Sequence, residues 1–322
     1  FLSTFVRVPY SHSTHRVLPR EHHHISRAHL SPAALDVLYR LKDAGFAAYL
    51  VGGGVRDLLL GITPKDFDIA TEARPEQVKE LFGRACRLVG RRFVLAHVRS
   101  RGDIIEVATF RAVPHSADET TGVSDDEHDD ENLSDDSPAK DTVAESGRIL
   151  SDNVYGNVVE DAFRRDFTVN ALYYSIEDFG VHDYVGALED IVDQQLRLIG
   201  EPNQPLTEAA AEKRYREDPV RMLRAIRLAS KLNLTLTAET EAPMARLAPL
   251  LGEVPAARLF DEVLKLLLCK EAATNLAQLE RYGLWEVLFP HTAVAMREDE
   301  TALALITAAL SSTTQRIMQG KS

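Results

Sequence analysis

Two cysteines in 322 residues, Cys86 and Cys269, are too few and too far apart to frame a disulfide scaffold, and they lack metal-ligand spacing. They read as reduced core thiols of a cytoplasmic protein. No apolar run approaches the roughly 18 residues a membrane-crossing helix needs, so no membrane partner is expected. Aromatic residues make up only 7% of the chain. Hydrophobic residues still reach 45% and charged ones 27%, the ordinary mix of a globular protein. A chain of this length buries a sizeable core and divides into two or three domains. It shows no internal repeat.

Positive charge is missing where negative charge is concentrated. Residues 115–147 hold twelve Asp or Glu, one Lys and no Arg, so they carry -11 of the net -12. The remainder, with 36 basic and 37 acidic residues, is close to neutral, and the acidic balance does not exclude a nucleic-acid partner. The same segment has no aromatic residue and few branched apolar ones. It cannot offset its ordering entropy by burial and is expected to be a disordered insertion.

What the chain does contain is organised around Tyr49–Thr71, YLVGGGVRDLLLGITPKDFDIAT. A short apolar strand runs into Gly52, Gly53 and Gly54 and then a brief helix with Arg56 and Asp57. After a turn at Gly61 and Pro64, a second strand is expected to carry Asp66 and Asp68. Glycines at a helix start leave backbone N–H groups open to phosphate oxygens. Carboxylates two apart on a strand share a face and repel unless a cation sits between them. Either feature alone is ordinary: a tight turn, or a solvated pair on an edge strand. Together, with Arg56 and Lys65 nearby, they describe a nucleotidyl-transfer site.

GGGVRDLLLG followed by KDFDIAT resembles the signature of the class II tRNA nucleotidyltransferase and bacterial poly(A) polymerase family, within the beta-type nucleotidyltransferase superfamily. Two downstream blocks extend the resemblance. EDAFRRDFTVNALYY, Glu160–Tyr174, is similar to the family's RRDFTxNAL motif and implies Arg165 and Asp166 as site residues; Arg165 has a guanidinium suited to phosphate. Arg216–Arg227 resembles its EDxxR motif, which implies that Glu217, Asp218 and Arg221 read the base while Arg224 and Arg227 hold the motif and nearby phosphates. Both cytosine and adenine present an amino group beside an acceptor, so this motif does not separate CTP from ATP. LVGRRFVLAHV, Leu88–Val98, resembles the segment that marks poly(A) polymerases off from CCA-adding enzymes; as a plain hairpin it would leave Arg91 and Arg92 solvated.

The rest of the chain is read in sequence. Residues 1–29 form a flexible N-terminal extension, with Arg7, Arg16 and Arg20 and no acid before Glu21. An organelle-targeting peptide shares that composition. His22, His23 and His24 are consecutive and cannot all turn to one metal from a regular element. Ser31-Pro32 opens a helix whose apolar face is Leu35, Leu38, Leu41 and Ala44 and which Gly45 ends. Arg74-Pro75 to Phe82 forms another, and Arg87–Val89, Val94–Val98 and Ile104–Thr109 are short strands. Glu106 either pairs with an arginine such as Arg111 or faces the metal site as a third carboxylate. Asp218 is expected as an N-cap with Pro219 as first helical residue. Arg221, Arg224 and Arg227 then form one stripe, opposite a buried Met222, Leu223 and Ile226, and repel unless an anion arrives.

The resemblance implies an α/β nucleotidyltransferase (beta-type polymerase palm) head over 30–200, followed by an all-α neck and partial body. A linker spans 201–211, the helical neck 212–275, and a truncated or divergent body 276–322. LFDEVLKLLL in the neck has apolar residues at Leu259, Phe260, Val263, Leu264 and Leu267. The expected function is template-independent addition of AMP from ATP to RNA 3′ ends. Asp66 and Asp68 would hold two Mg²⁺ ions about 3.5–4 Å apart. The expected partners are ATP and RNA, with the protein a monomer open to RNA-decay partners. A CCA-adding enzyme and a non-catalytic RNA-binding relative are the alternatives.

Overall fold

The computed structural model describes residues 15–90, 94–112 and 154–320. The acidic segment 115–147 and the residues Arg91 and Arg92 lie outside these residues. Contacts divide the chain into two compact units, one drawn from 17–164 and 172–182, the other from 165–171 and 183 onward.

The first unit is built on a mixed sheet. Its elements are β1 (Arg16–Leu18), α1 (Pro32–Asp43), β2 (Ala48–Val51), α2 (Gly53–Leu59), β3 (Asp68–Thr71) and α3 (Pro75–Phe82), followed by β4 (Cys86–Val89), β5 (Leu95–Ser100), β6 (Asp103–Thr109), α4 (Val158–Arg164), β7 (Leu172–Ser175) and β8 (Val181–Asp183). The strand order is β1-β8-β7-β2-β3-β6-β5-β4. β2 runs antiparallel to both β3 and β7, whereas β3 and β6 are parallel, with Ile69 opposite Val107. β1 is an edge strand formed by residues expected in the flexible extension; Leu18 and Ile25 are buried, which ties this stretch down. His23 accepts from the Ile25 amide through Nδ1 and meets the Phe179 carbonyl through Nε2, so its ring is occupied structurally.

Ser31 caps α1 by accepting from the Ala34 amide at 3.0 Å, with Pro32 in the first turn. Of the expected face Leu38 and Leu41 are buried, Leu35 and Ala44 are not, and Ala33, Ala34 and Val37 complete it. Val37 joins the apolar stripe because α1 packs across β2, β3, β5 and β6. The opposite face of the sheet at β3 and β6 is left open: Ile104 and Glu106 are exposed there, while Ile105 and Val107 are buried on the α1 side.

The second unit is mostly helical. It holds a 3-10 turn at Thr168–Asn170, α5 (Ala187–Val192), β9 (Gln195–Leu196), α6 (Glu208–Glu217), α7 (Val220–Leu232), β10 (Thr235–Leu236), α8 (Ala238–Glu241) and α9 (Met244–Leu247), and then α10 (Ala256–Leu267), α11 (Ala272–Arg281), α12 (Leu284–Leu288), α13 (Pro290–Glu298) and α14 (Glu300–Met318). Residues 165–171 and 183–200, expected in the head, pack with this unit. Phe167 bridges Leu198, β9 pairs with β10, and the Leu198 amide donates to Thr240 at 3.1 Å. The expected linker ends at Thr207, which caps α6. α7 is the centre, packing on α6, α10 and α11 with Met222, Leu223, Ala225 and Ile226 buried. α10 buries Glu262 and Leu266, and Phe260 and Leu264 of its apolar sequence pattern are exposed. No described helix is long and apolar enough to cross a membrane.

Candidate active site

In the sheet unit the glycine run forms the start of α2. Gly52 has φ +73°, a conformation side chains disfavour, and its N–H donates to the Leu172 carbonyl at 3.2 Å. Gly53 and Gly54 occupy the first turn, whose amides lack intrahelical acceptors. A Cβ on Gly54 would lie 3.2 Å from the Asp66 carbonyl oxygen, so this glycine allows the loop bearing Asp66 to approach. Arg56 does not stand open beside them as expected. It is buried, and its Nε and Nη2 both donate to Asp57 Oδ1, at 2.9 and 2.6 Å. The apolar surroundings of α2 demand that internal neutralisation.

The two aspartates differ in setting from the sequence expectation. β3 starts at Asp68, and Asp66 precedes it in a loop that follows a bend at Lys65. They nevertheless share one cleft of about 470 Å³, lined also by Lys65, Asp103, Ile104 and Glu106. β3 and β6 pair in parallel from Ile69 and Val107 onward, so Asp68 and Glu106 occupy matching positions one residue earlier. Glu106 keeps 52% of its side chain exposed and lies 3.6 Å from His97. Arg111 is buried and leaves Glu106 to the cleft side.

Among the described residues no three His, Cys, Asp or Glu side chains are grouped closely enough to cage a metal. The donor set still fits Mg²⁺, which takes one or two carboxylates and completes its shell with water and substrate phosphates. Asp66 makes no hydrogen bond or ion pair among the described residues, which leaves its oxygens available.

The helical unit carries the other candidates, with Arg165 and Asp166 just before the 3-10 turn. The half-buried Asp166 carboxyl, its side chain 11% exposed, accepts from the Phe167 backbone amide at 2.8 Å, from Asn170 Nδ2 at 3.2 Å and from Arg224 Nε at 2.7 Å. Burial pushes its pKa up, but the Arg224 charge and these hydrogen bonds outweigh burial and hold it at about 2. A second network fixes the turn: Thr168 Oγ1 donates to Asp190 at 2.6 Å, and Arg197 Nε donates to the same carboxylate at 2.9 Å.

α7 begins one residue later than expected, with Pro219 as its cap position, although Asp218 Oδ1 still accepts from the Val220 amide at 3.2 Å. Asp218 Oδ2 accepts from Arg258 at 2.6 Å. The arginine stripe does not await an outside anion, because each member has a carboxylate of its own. Arg221 donates to Glu217 at 2.9 Å, Arg224 to Asp166, and Arg227 to Glu262 at 3.0 Å. The charge of Asp166 raises the Arg224 pKa, whereas Glu262 is held low because Arg227, Lys265 and Arg224 outweigh its burial.

Sequence reading missed two of these groups. Glu262 sits in an apolar run, where only its isolation as a carboxylate marks it. Arg214 precedes the motif by one helical turn from Glu217; that i, i+3 spacing is the signal that would have found it.

The fold and these groups have relatives. Residues 48–197 match the model for the Poly A polymerase head domain, and residues 233–296 match "Probable RNA and SrmB- binding site of polymerase A". The chain is 52% identical over 274 residues to Poly(A) polymerase I of Salmonella typhi, covering 85% of this chain and 53% of that protein. It is 47% identical over 295 residues to Poly(A) polymerase I of Haemophilus influenzae, covering 91% and 59%. The Bacillus stearothermophilus CCA-adding enzyme, solved in complex with CTP, superposes with a TM-score of 0.60 at 33% identity, over 79% of this chain and 53% of that one. The chain thus spans a little over half the length of the relatives it matches. With a matching head, a matching following region and this set of carboxylates and arginines, the chain belongs to the bacterial poly(A) polymerase and tRNA nucleotidyltransferase family.

Proposed function

We propose that the chain adds AMP from ATP to RNA 3′ ends without a template. The observation that carries this reading is its 52% identity to a protein named Poly(A) polymerase I, against 33% to a CCA-adding enzyme. The chemistry of the cleft agrees. Asp66 and Asp68, with Glu106 beside them, would hold two Mg²⁺ ions; when bound, these supply Lewis acidity toward a 3′-hydroxyl and charge compensation for pyrophosphate. The amides of Gly53 and Gly54 and the side chain of Lys65 suit phosphate oxygens. Glu217, Asp218 and Arg221 read the base, and Arg165 holds phosphate. Arg224 and Arg227, already paired, position the motif instead of gripping the substrate.

In the reaction the RNA 3′ oxygen bonds to the α-phosphorus as the bridging α–β P–O bond breaks. Pyrophosphate leaves and the hydroxyl proton passes to solvent. The chain's residues contribute by positioning and by placing charge in advance, which supplies most of the acceleration in this class of transfer. The unpaired cysteines suit a reducing cytoplasmic compartment.

Incubation with RNA and each labelled nucleotide separately tests the proposal. Long A tracts from ATP alone are expected. Use of CTP on a tRNA ending before CCA would make this a CCA-adding enzyme, and no incorporation would leave a non-catalytic relative.

A further inference from the structure

We infer that Arg214, on the last turn of α6, is a positioning residue that decides which oxygen of Glu217 meets the incoming base. This rests on the proposed function, in which Glu217 reads that base. Arg214 is buried and acts as a fork. Its Nη1 donates to Glu217 Oε2 at 2.9 Å, and its Nη2 donates to the Arg165 carbonyl. Arg221 Nη1 donates to the same Oε2 at 2.9 Å and to the Arg214 carbonyl at 2.6 Å. One oxygen of Glu217 is thus held twice, while Oε1 has no hydrogen bond among the described residues.

A glutamate carboxylate otherwise turns about its last bond. Two guanidiniums on one oxygen stop that rotation and leave Oε1 as a fixed acceptor. An acceptor-only oxygen takes a hydrogen bond from an exocyclic amino group and repels an oxo group at the same place. The same guanidinium also anchors the backbone bearing Arg165 and Asp166, so base reading and the neighbouring turn share one support. Burial and the adjacent Arg221 charge both push the Arg214 pKa down, so the arrangement is held against a cost. A lysine carries its charge at a point and cannot reproduce the planar fork.

The test compares ATP with inosine 5′-triphosphate, in which an oxo group replaces the 6-amino group. Equilibrium binding of each to the full chain is measured alongside AMP incorporation. Wild type is expected to prefer ATP. Arg214→Lys is expected to reduce that preference about tenfold, the size of one lost charge-assisted hydrogen bond. Arg214→Met should reduce it at least as far, and Arg216→Gln, an exposed change on the same helix, should leave it intact. Thermal melts confirm that Arg214→Lys is folded. The inference is overturned if wild type does not distinguish the two nucleotides. It is also overturned if a folded Arg214→Lys binds both more weakly by the same factor, as a purely structural role requires. A wild type that prefers ATP in binding yet adds no AMP would overturn the proposed function and leave the role of Arg214 standing.

Discussion

The candidate residues of the two units handle charge in opposite ways. In the sheet unit Asp66 and Lys65 have no hydrogen bond or ion pair among the described residues, and Glu106 is half exposed beside a histidine. In the helical unit every arginine of the α7 stripe is matched by a carboxylate, and Asp166 is held by Arg224. On the proposed function, a surface that receives hard cations and phosphate gains by staying uncompensated until they arrive. On the same proposal, one that sorts bases by hydrogen bonds needs fixed donors and acceptors, and internal ion pairs would supply that rigidity.

The comparison breaks most sharply at the aspartates. Asp66→Ala and Asp68→Ala should each lower AMP incorporation by about 10³-fold or more, with a melting temperature close to wild type because both side chains are exposed. Parent-level activity in either variant would remove the assignment of these carboxylates to metal.

Asp166→Asn strikes the paired side and should show first in stability. The folded pKa of Asp166 lies below its unfolded value, so its contribution is present above about pH 4 and fades as pH falls toward about 2. At neutral pH that contribution is about 2 kcal/mol. Denaturant titrations of wild type and variant should therefore converge as pH drops from 4 to 2. A gap that stays constant across this window would show that the charge on Asp166 is not what the fold uses.

Glu106→Gln sharpens the open side. As a third cleft carboxylate its loss should cost roughly tenfold in rate at fixed Mg²⁺, partly restored by raising the ion concentration. A change under twofold, insensitive to Mg²⁺, would reduce Glu106 to a partner of His97. The smallest effect is expected from Gly54→Ala. The added methyl meets the Asp66 carbonyl at 3.2 Å, so the loop must give by a few tenths of an ångström. A several-fold drop in incorporation with little loss of stability follows from that displacement.

Much of the sheet unit was readable from local pattern. The Ser31-Pro32 start of α1, the run of short strands and the convergence of Asp66 with Asp68 are spacings within a few residues. Pro64 and Lys65 bend the chain, which is why Asp66 reaches the cleft from a loop and not from β3. The helical unit was harder to read because its decisive partners lie far apart in sequence. Arg224 meets Asp166 58 residues away, and Arg227 meets Glu262 35 residues away; a stripe of three arginines says nothing about which carboxylates fold onto it. α10 shows the same limit, since periodicity reveals an apolar stripe but not whether a neighbour covers it. Phe260 is 60% exposed while Glu262 is buried.

The parallel pairing of β3 with β6 has a consequence for biosynthesis. Antiparallel neighbours can close through a tight turn, but parallel ones need an excursion, here through α3, β4 and β5. As a ribosome extends the chain, Asp66 in the loop before β3 and Asp68 at its start emerge some forty residues ahead of Glu106, while one side of β3 is still unclaimed. The acidic cleft is complete only after that detour has been translated and folded back, so a nascent chain halted before β6 would carry the aspartate pair without the wall it needs.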